Sequence, residues 1–133
     1  MRKAGNINYS QIENTIHEIL KSKAQSKIYL FLLRKNNVKT EDIIKGTRLH
    51  PSTVRETLVK MYSKHIIRRE KIKNESIGKN PYVYSPIPPV LLIKKYVEDM
   101  EQRLNNLVSL SGKHQENKET HSIHISIVKK EEM

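Results

Sequence analysis

TEDIIKGTRLHPSTVRETLVKMYSKH, residues 40–65, reads as two short helices joined by a tight turn, and the other segments can be placed around it. Ile43 and Ile44 give the first helix an apolar side, and Gly46 stands about where the chain must break away through a left-handed backbone. The second helix starts near Pro51, whose fixed φ and missing N–H suit a first helical turn. Val54, Leu58 and Met61 then recur at i, i+4 and i+7 as one buried stripe. The opposite face carries Ser52, Thr53, Arg55, Glu56, Val59, Lys60 and Ser63, all but one of them polar. Short hydroxyls near the helix start allow close approach to base edges, and long basic stems farther on suit guanine edges or phosphates. The bland alternative is a helix-turn-helix used only for packing.

Charge favours the first reading. Residues 1–87 hold 18 Lys and Arg against 7 Asp and Glu, a net of +11, whereas residues 88–133 hold 7 against 7. A positive domain is drawn to a phosphate backbone with steep salt dependence. Genome composition or a hot habitat would explain abundant lysine but not its segregation. At 133 residues the chain has room for one core and an appendage. It lacks cysteine, which removes disulfides, thiolate metal sites and cysteine nucleophiles, and fits a reducing interior. The longest near-continuous apolar run, 87–93, is broken by prolines and too short to span a bilayer, and MRKAGNIN at the start has no export-type apolar core.

Upstream, Ser10 followed by Glu13 has capping-box spacing, with Ile12, Ile16, Ile19 and Leu20 as an apolar face. Ser22 with Gln25 repeats the signal and opens a helix over 23–35, where Ala24, Ile28, Phe31 and Leu32, widened by Tyr29 and Leu33, mark the central core helix. Asn36 and Asn37 end it, Val38 is placed in a very short strand, and Thr40 is expected to cap the next helix. His17 reads as a packed or solvent-facing histidine rather than a ligand.

After His65 the period falls to about 2. Ile66, Arg68, Glu70 and Ile72 lie on one side and Ile67, Arg69 and Lys71 on the other, then KNESIGKN (73–80) turns and PYVYS (81–85) returns, with Tyr82 and Tyr84 sharing a face. Pro81 at a strand start costs no needed ladder bond. A hairpin directly after a recognition helix has the construction of a wing. Lys71, Lys73 and Lys79 can reach phosphates from it; of Arg68 and Arg69 at its base, one can instead support the fold. A solvated charged hairpin is the alternative, and the two tyrosines read as packing before base stacking.

Pro86, Pro88 and Pro89 mark a boundary before a long helix over 89–110. Its Ile93, Val97, Met100, Leu104 and Leu107 follow spacings of 4, 3, 4 and 3, a heptad seam that suits a two-stranded coiled coil. A lone helix laid on its own core competes with that reading. SGKHQENKET (111–120) looks like a linker, and Ile123, Ile125 and Ile127 alternate as in a short strand or a plain tail. His114, His121 and His124 have no cysteine and no repeating ligand spacing beside them, so no metal site is assigned.

With these elements in place, residues 22–89 resemble the winged helix-turn-helix regulators of prokaryotes, especially the archaeal TrmB type and the broader MarR- and ArsR-type groups. SKAQSKIYLFLL (22–33) resembles the core-helix motif, STVRETLVKM (52–61) the recognition helix, and GKNPYVYSPIPP (78–89) the end of the wing. The resemblance implies that Ser52, Thr53, Arg55 and Glu56 face the major groove, that Lys60 reaches phosphate, and that Lys73 and Lys79 lie near the adjacent backbone or minor groove. Two departures stand out: His65 replaces the small residue usual at the recognition-helix end, and the sugar-binding domain of full-length members is absent, so a sugar-responsive role is not expected.

The expected fold is therefore α+β, mainly helical: a winged helix-turn-helix domain over 9–87, a dimerisation helix over 88–111, and a polar tail over 112–133 with a candidate strand at 122–128. The expected function is a sequence-specific regulator of transcription that binds double-stranded DNA as a homodimer in the cytoplasm, at the nucleoid, and more readily represses than activates. No cofactor, membrane partner or small-molecule effector is assigned. Two other readings use the same residues: an architectural, replication or plasmid-partition protein with little sequence preference, and a winged-helix protein-interaction module. Nothing pairs a nucleophile with a base, and Glu56, His65 and Glu70 suit capping, helix termination and salt bridging better than acid/base work, so an enzyme is not expected.

Overall fold

In the computed structural model, residues 8–72, 82–111 and 120–131 are described, and the chain forms two units, Met1–Ile87 and Pro88–Met133. The first is built on one helix. That helix, α2, is preceded by α1 (Tyr9–Leu20) and itself spans Lys23–Lys35, the range its sequence predicts. Ser22 Oγ accepts the Gln25 N–H at 3.2 Å and closes one of the open donors of its first turn. Ile28, Tyr29 and Leu32 are fully buried and Phe31 nearly so. Leu33, expected to widen this face, is exposed instead. Asn36 and Asn37 end the helix with positive φ values of 38° and 54°; asparagine is among the non-glycine residues most often found at positive φ.

Two caps differ from expectation. Asn8, not Ser10, caps α1: its Oδ1 accepts the Gln11 N–H at 3.1 Å, so the helix starts earlier and Ser10 lies inside it. Ile16 and Leu20 are buried and His17 is exposed. Helix α3 (Thr40–Thr47) has Lys39 at its cap position without a side-chain bond, and Thr40 is its buried first residue rather than its cap.

Gly46 also has another reason than the expected one. Helix α3 runs through it, and the left-handed residue is Arg48, at φ 60°. A Cβ on Gly46 would collide with the ring of Phe31, so glycine here permits α3 to approach α2 closely. Helix α4 (Pro51–Ser63) then buries Val54, Thr57, Leu58 and Met61.

Strands β1 (Ile67–Lys71) and β2 (Tyr82–Pro86) pair antiparallel, with Ile67 opposite Pro86, Arg69 opposite Tyr84 and Lys71 opposite Tyr82. Pro86, read as boundary, is thus the last strand residue, where a missing N–H breaks no needed bond. Val38 forms the expected short strand as a single bridge to Tyr84, with N–H···O distances of 3.1 and 2.8 Å. The turn at 73–80 and Pro81 lie outside the described residues.

In the second unit, α5 (Pro89–Ser111) matches its expected start and ends one residue later. Residues 122–128 join no sheet among the described residues. Their backbone is held by side chains of α5: Ile123 N–H donates to Asn105 Oδ1 at 2.6 Å, and Asn105 Nδ2 donates to the Ile123 carbonyl at 2.9 Å. One turn back along α5, Glu101 Oε2 accepts the Ile125 N–H at 2.7 Å and lies 3.2 Å from His124 Nδ1. An extended segment advances about 6.6 Å per two residues and a helix about 6 Å per four, so the tail keeps step with successive turns of α5. Strand-like alternation was legible, but the side-chain amide of Asn105 stands in for the neighbouring strand.

Candidate nucleic-acid interface

Helix α4 presents its polar face because its apolar face is committed. Val54 and Met61 are fully buried and Leu58 is 3% exposed, which turns Ser52, Arg55, Glu56 and Lys60 to solvent and leaves Thr53 half-buried. The five sequence-assigned residues of this helix therefore lie along one accessible strip, with Ser52 and Thr53 in its first turn. Val59, 67% exposed, lies among them as an apolar group able to meet a thymine methyl.

The sequence reading did not single out His50. It is the N-cap of α4: its Nδ1 accepts the Ser52 N–H at 3.2 Å and lies 2.9 Å from Ser52 Oγ. Accepting that bond leaves the proton on Nε2, at the exposed start of the helix. The position directly before Pro51 was the available signal, obscured because Ser, Thr, Asp and Asn are the usual caps.

At its other end α4 stops in a Schellman arrangement. His65 adopts φ 61°, its N–H donates to the Tyr62 carbonyl at 3.0 Å, and the Ile66 N–H donates to the Met61 carbonyl at 2.9 Å. A left-handed backbone, which a small residue would accept more easily, is thus present with histidine in place. It reverses the chain and sends β1 away from the helix end, with Ile66 and Ile67 buried as its anchor.

Of the hairpin residues, Arg68, Arg69 and Lys71 are exposed, while Lys73 and Lys79 lie outside the described residues. Arg69 is already engaged: its guanidinium carbon lies 3.9 Å from the ring centre of Tyr62 and 4.3 Å from that of Tyr82. Between the two arginines, it is Arg69 that braces the fold. Tyr84 is 5% exposed and tilted against Tyr82 at 6.4 Å between ring centres, so it packs rather than offering a face to a base.

In the second unit, the seam residues lie along α5, with Ile93 40% and Leu107 63% exposed and Val97, Met100 and Leu104 half-buried. Val90, Leu91, Leu110, Ile127 and Val128 are exposed as well, so most of the large apolar side chains open to solvent among the described residues belong to this unit. None of the described helices is long and apolar enough to cross a membrane.

The family model described as "Sugar-specific transcriptional regulator TrmB" matches residues 22–90, just over half of the chain. No curated protein matches. Among solved structures, a possible transcriptional regulator from Methanosarcina mazei Go1 is 24% identical at a TM-score of 0.60, covering 88% of this chain and 97% of that one. The S. aureus MepR–DNA complex is 17% identical at a TM-score of 0.48, with 80% of this chain and 92% of that one covered. The first likeness shows the winged-helix fold; among the described residues the chain has five helices, a two-stranded sheet and a long last helix. The chain belongs to the TrmB family and is a winged-helix transcriptional regulator.

Proposed function

We propose that this regulator binds double-stranded DNA sequence-specifically as a homodimer, placing α4 in the major groove and the hairpin on the adjacent backbone. The observation that carries the reading is the exposed strip of Ser52, Arg55, Glu56 and Lys60, with half-buried Thr53 beside it, held outward by the buried Val54, Leu58 and Met61. It lies in the part of the chain that holds the whole positive excess, +11 over residues 1–87. Ser52 and Arg55 contact base edges; Glu56 accepts from a cytosine amine; Lys60, Arg68 and Lys71 contact phosphates. Lys73 and Lys79 add further phosphate contacts. Two copies pair through Ile93, Val97, Met100, Leu104 and Leu107, so the recognition helices enter grooves roughly 34 Å apart on a pseudo-palindromic site. Occlusion of a promoter by such a dimer represses transcription. The working place of the chain is then the cytoplasm, at the nucleoid, and none of these steps is enzymatic.

The test is selection from a random-sequence duplex pool, followed by titration of enriched and scrambled duplexes at several salt concentrations. An inverted repeat bound at least about a hundredfold tighter than its scramble supports the proposal. Equal affinities with a steep salt slope move the protein to an architectural role, and no binding at modest salt leaves a protein-interaction module.

A further inference from the structure

We propose that Arg69 is a positioning residue for DNA recognition: its guanidinium, lying over both Tyr62 and Tyr82, sets the angle between α4 and the hairpin. This rests on reading those two elements as the DNA interface. It assigns Arg69 a task different from the direct phosphate contact that its charge and exposure suggest.

The geometry joins three segments. Tyr62 is in the last turn of α4, Arg69 is in β1, and Tyr82 opens the described part of β2. Arg69 pairs with Tyr84 across the ladder, so Tyr82, two residues earlier in β2, is its diagonal neighbour on the same face. The reversal at His65 carries the chain back so that a side chain seven residues after Tyr62 returns over its ring. The hairpin base is fixed by buried Ile67 and Tyr84 and by the Val38 bridge. Beyond that base the described hairpin residues form two strands, which by themselves hold an orientation poorly. The guanidinium 3.9 Å from one ring centre and 4.3 Å from the other ties that outer part to the helix end.

The chemistry requires arginine. A planar guanidinium can lie flat on an aromatic ring, whereas an ammonium offers a compact point charge. A backbone-contacting wing and a base-reading helix must be placed together, because an error in their angle forfeits one set of contacts when the other is made.

The experiment compares wild type with Arg69→Lys, Arg69→Gln, Tyr62→Phe, Tyr62→Leu and the Arg69→Gln/Tyr62→Leu double variant. It reads affinity for the selected duplex, the salt slope, and thermal unfolding. Arg69→Lys, Arg69→Gln and Tyr62→Leu are each expected to weaken binding about tenfold, and the double variant no more than about twofold further. Tyr62→Phe, which keeps the ring, stays within about twofold of wild type. Wild-type affinity in Arg69→Lys, with additive losses in the double variant, would overturn the positioning role and make Arg69 a plain phosphate contact. A shallower salt slope in Arg69→Gln but not in Arg69→Lys points the same way. Failure of wild type to bind any duplex overturns the DNA reading together with this one, whereas binding with additivity overturns this one alone.

Discussion

The phenol of Tyr29 donates a 2.7 Å hydrogen bond to the carbonyl of Ile87, a buried contact between residues 58 positions apart. It fastens the middle of the core helix to the segment that leaves the sheet. Burial pushes the Tyr29 phenol up from its ordinary 10.0 to about 12. Tyr29→Phe is expected to lower stability by about 1–2 kcal/mol, since it leaves the Ile87 carbonyl buried without this donor, readable by urea titration. The protonated phenol is the form the fold favours. Its contribution is therefore complete below pH 10 and lost as pH rises toward 12. Wild type should show that alkaline decline more steeply than Tyr29→Phe; parallel curves would remove Tyr29 as its source.

Gly46→Ala tests the packing of α3 on α2. In an open helix this change stabilises by about 1 kcal/mol. Here the new methyl meets the Phe31 ring, and the expected result is a loss of roughly 1–3 kcal/mol. Phe31→Leu in the same chain should recover part of that loss. Thermal unfolding of the single and double variants decides it, and a stabilised Gly46→Ala would refute the close approach.

Arg55 and Lys71 should separate base reading from backbone contact. Arg55→Ala is expected to weaken the selected duplex by about 1–3 kcal/mol while changing scrambled DNA much less. Lys71→Ala should weaken both alike and reduce the salt slope by about 1. Identical behaviour of the two variants would undo the assignment of roles.

Leu104→Glu addresses the seam on α5. A carboxylate at the interface of two paired helices has to be desolvated, so the variant is expected to sediment as a monomer at concentrations where wild type is a dimer. A dimer that survives the substitution would place the interface elsewhere.

The core helix α2 and helix α4 were legible because local signals and burial agree. At Ser22, cap and apolar stripe coincide; at Pro51, the start signal and the Val54, Leu58, Met61 spacing coincide. The period change after His65 likewise announced the hairpin. Start signals misled where two candidates were close: Ser10 has capping-box spacing, yet Asn8 is two residues earlier and takes the bond. The strip on α4 was readable for the same reason as its buried face, since fixing one side of a helix fixes the other. His50 was missed because an unusual side chain fills a position whose usual occupants are known.

Local sequence thus determined where the helices and the hairpin strands lie and most of the apolar side of each, through propensity, capping and period, all of which act over a few residues. Tertiary structure decided what depends on residues far apart in the chain. Gly46 is needed by the ring of Phe31 rather than by a turn, and Arg69 is held by rings of two other elements. Ile123 pairs with the side chain of Asn105, where its alternating pattern suggested a neighbouring strand. A glycine reads alike whether backbone freedom or close approach requires it, and an exposed arginine reads alike whether it meets phosphate or tyrosine; the neighbour supplied by packing makes the difference.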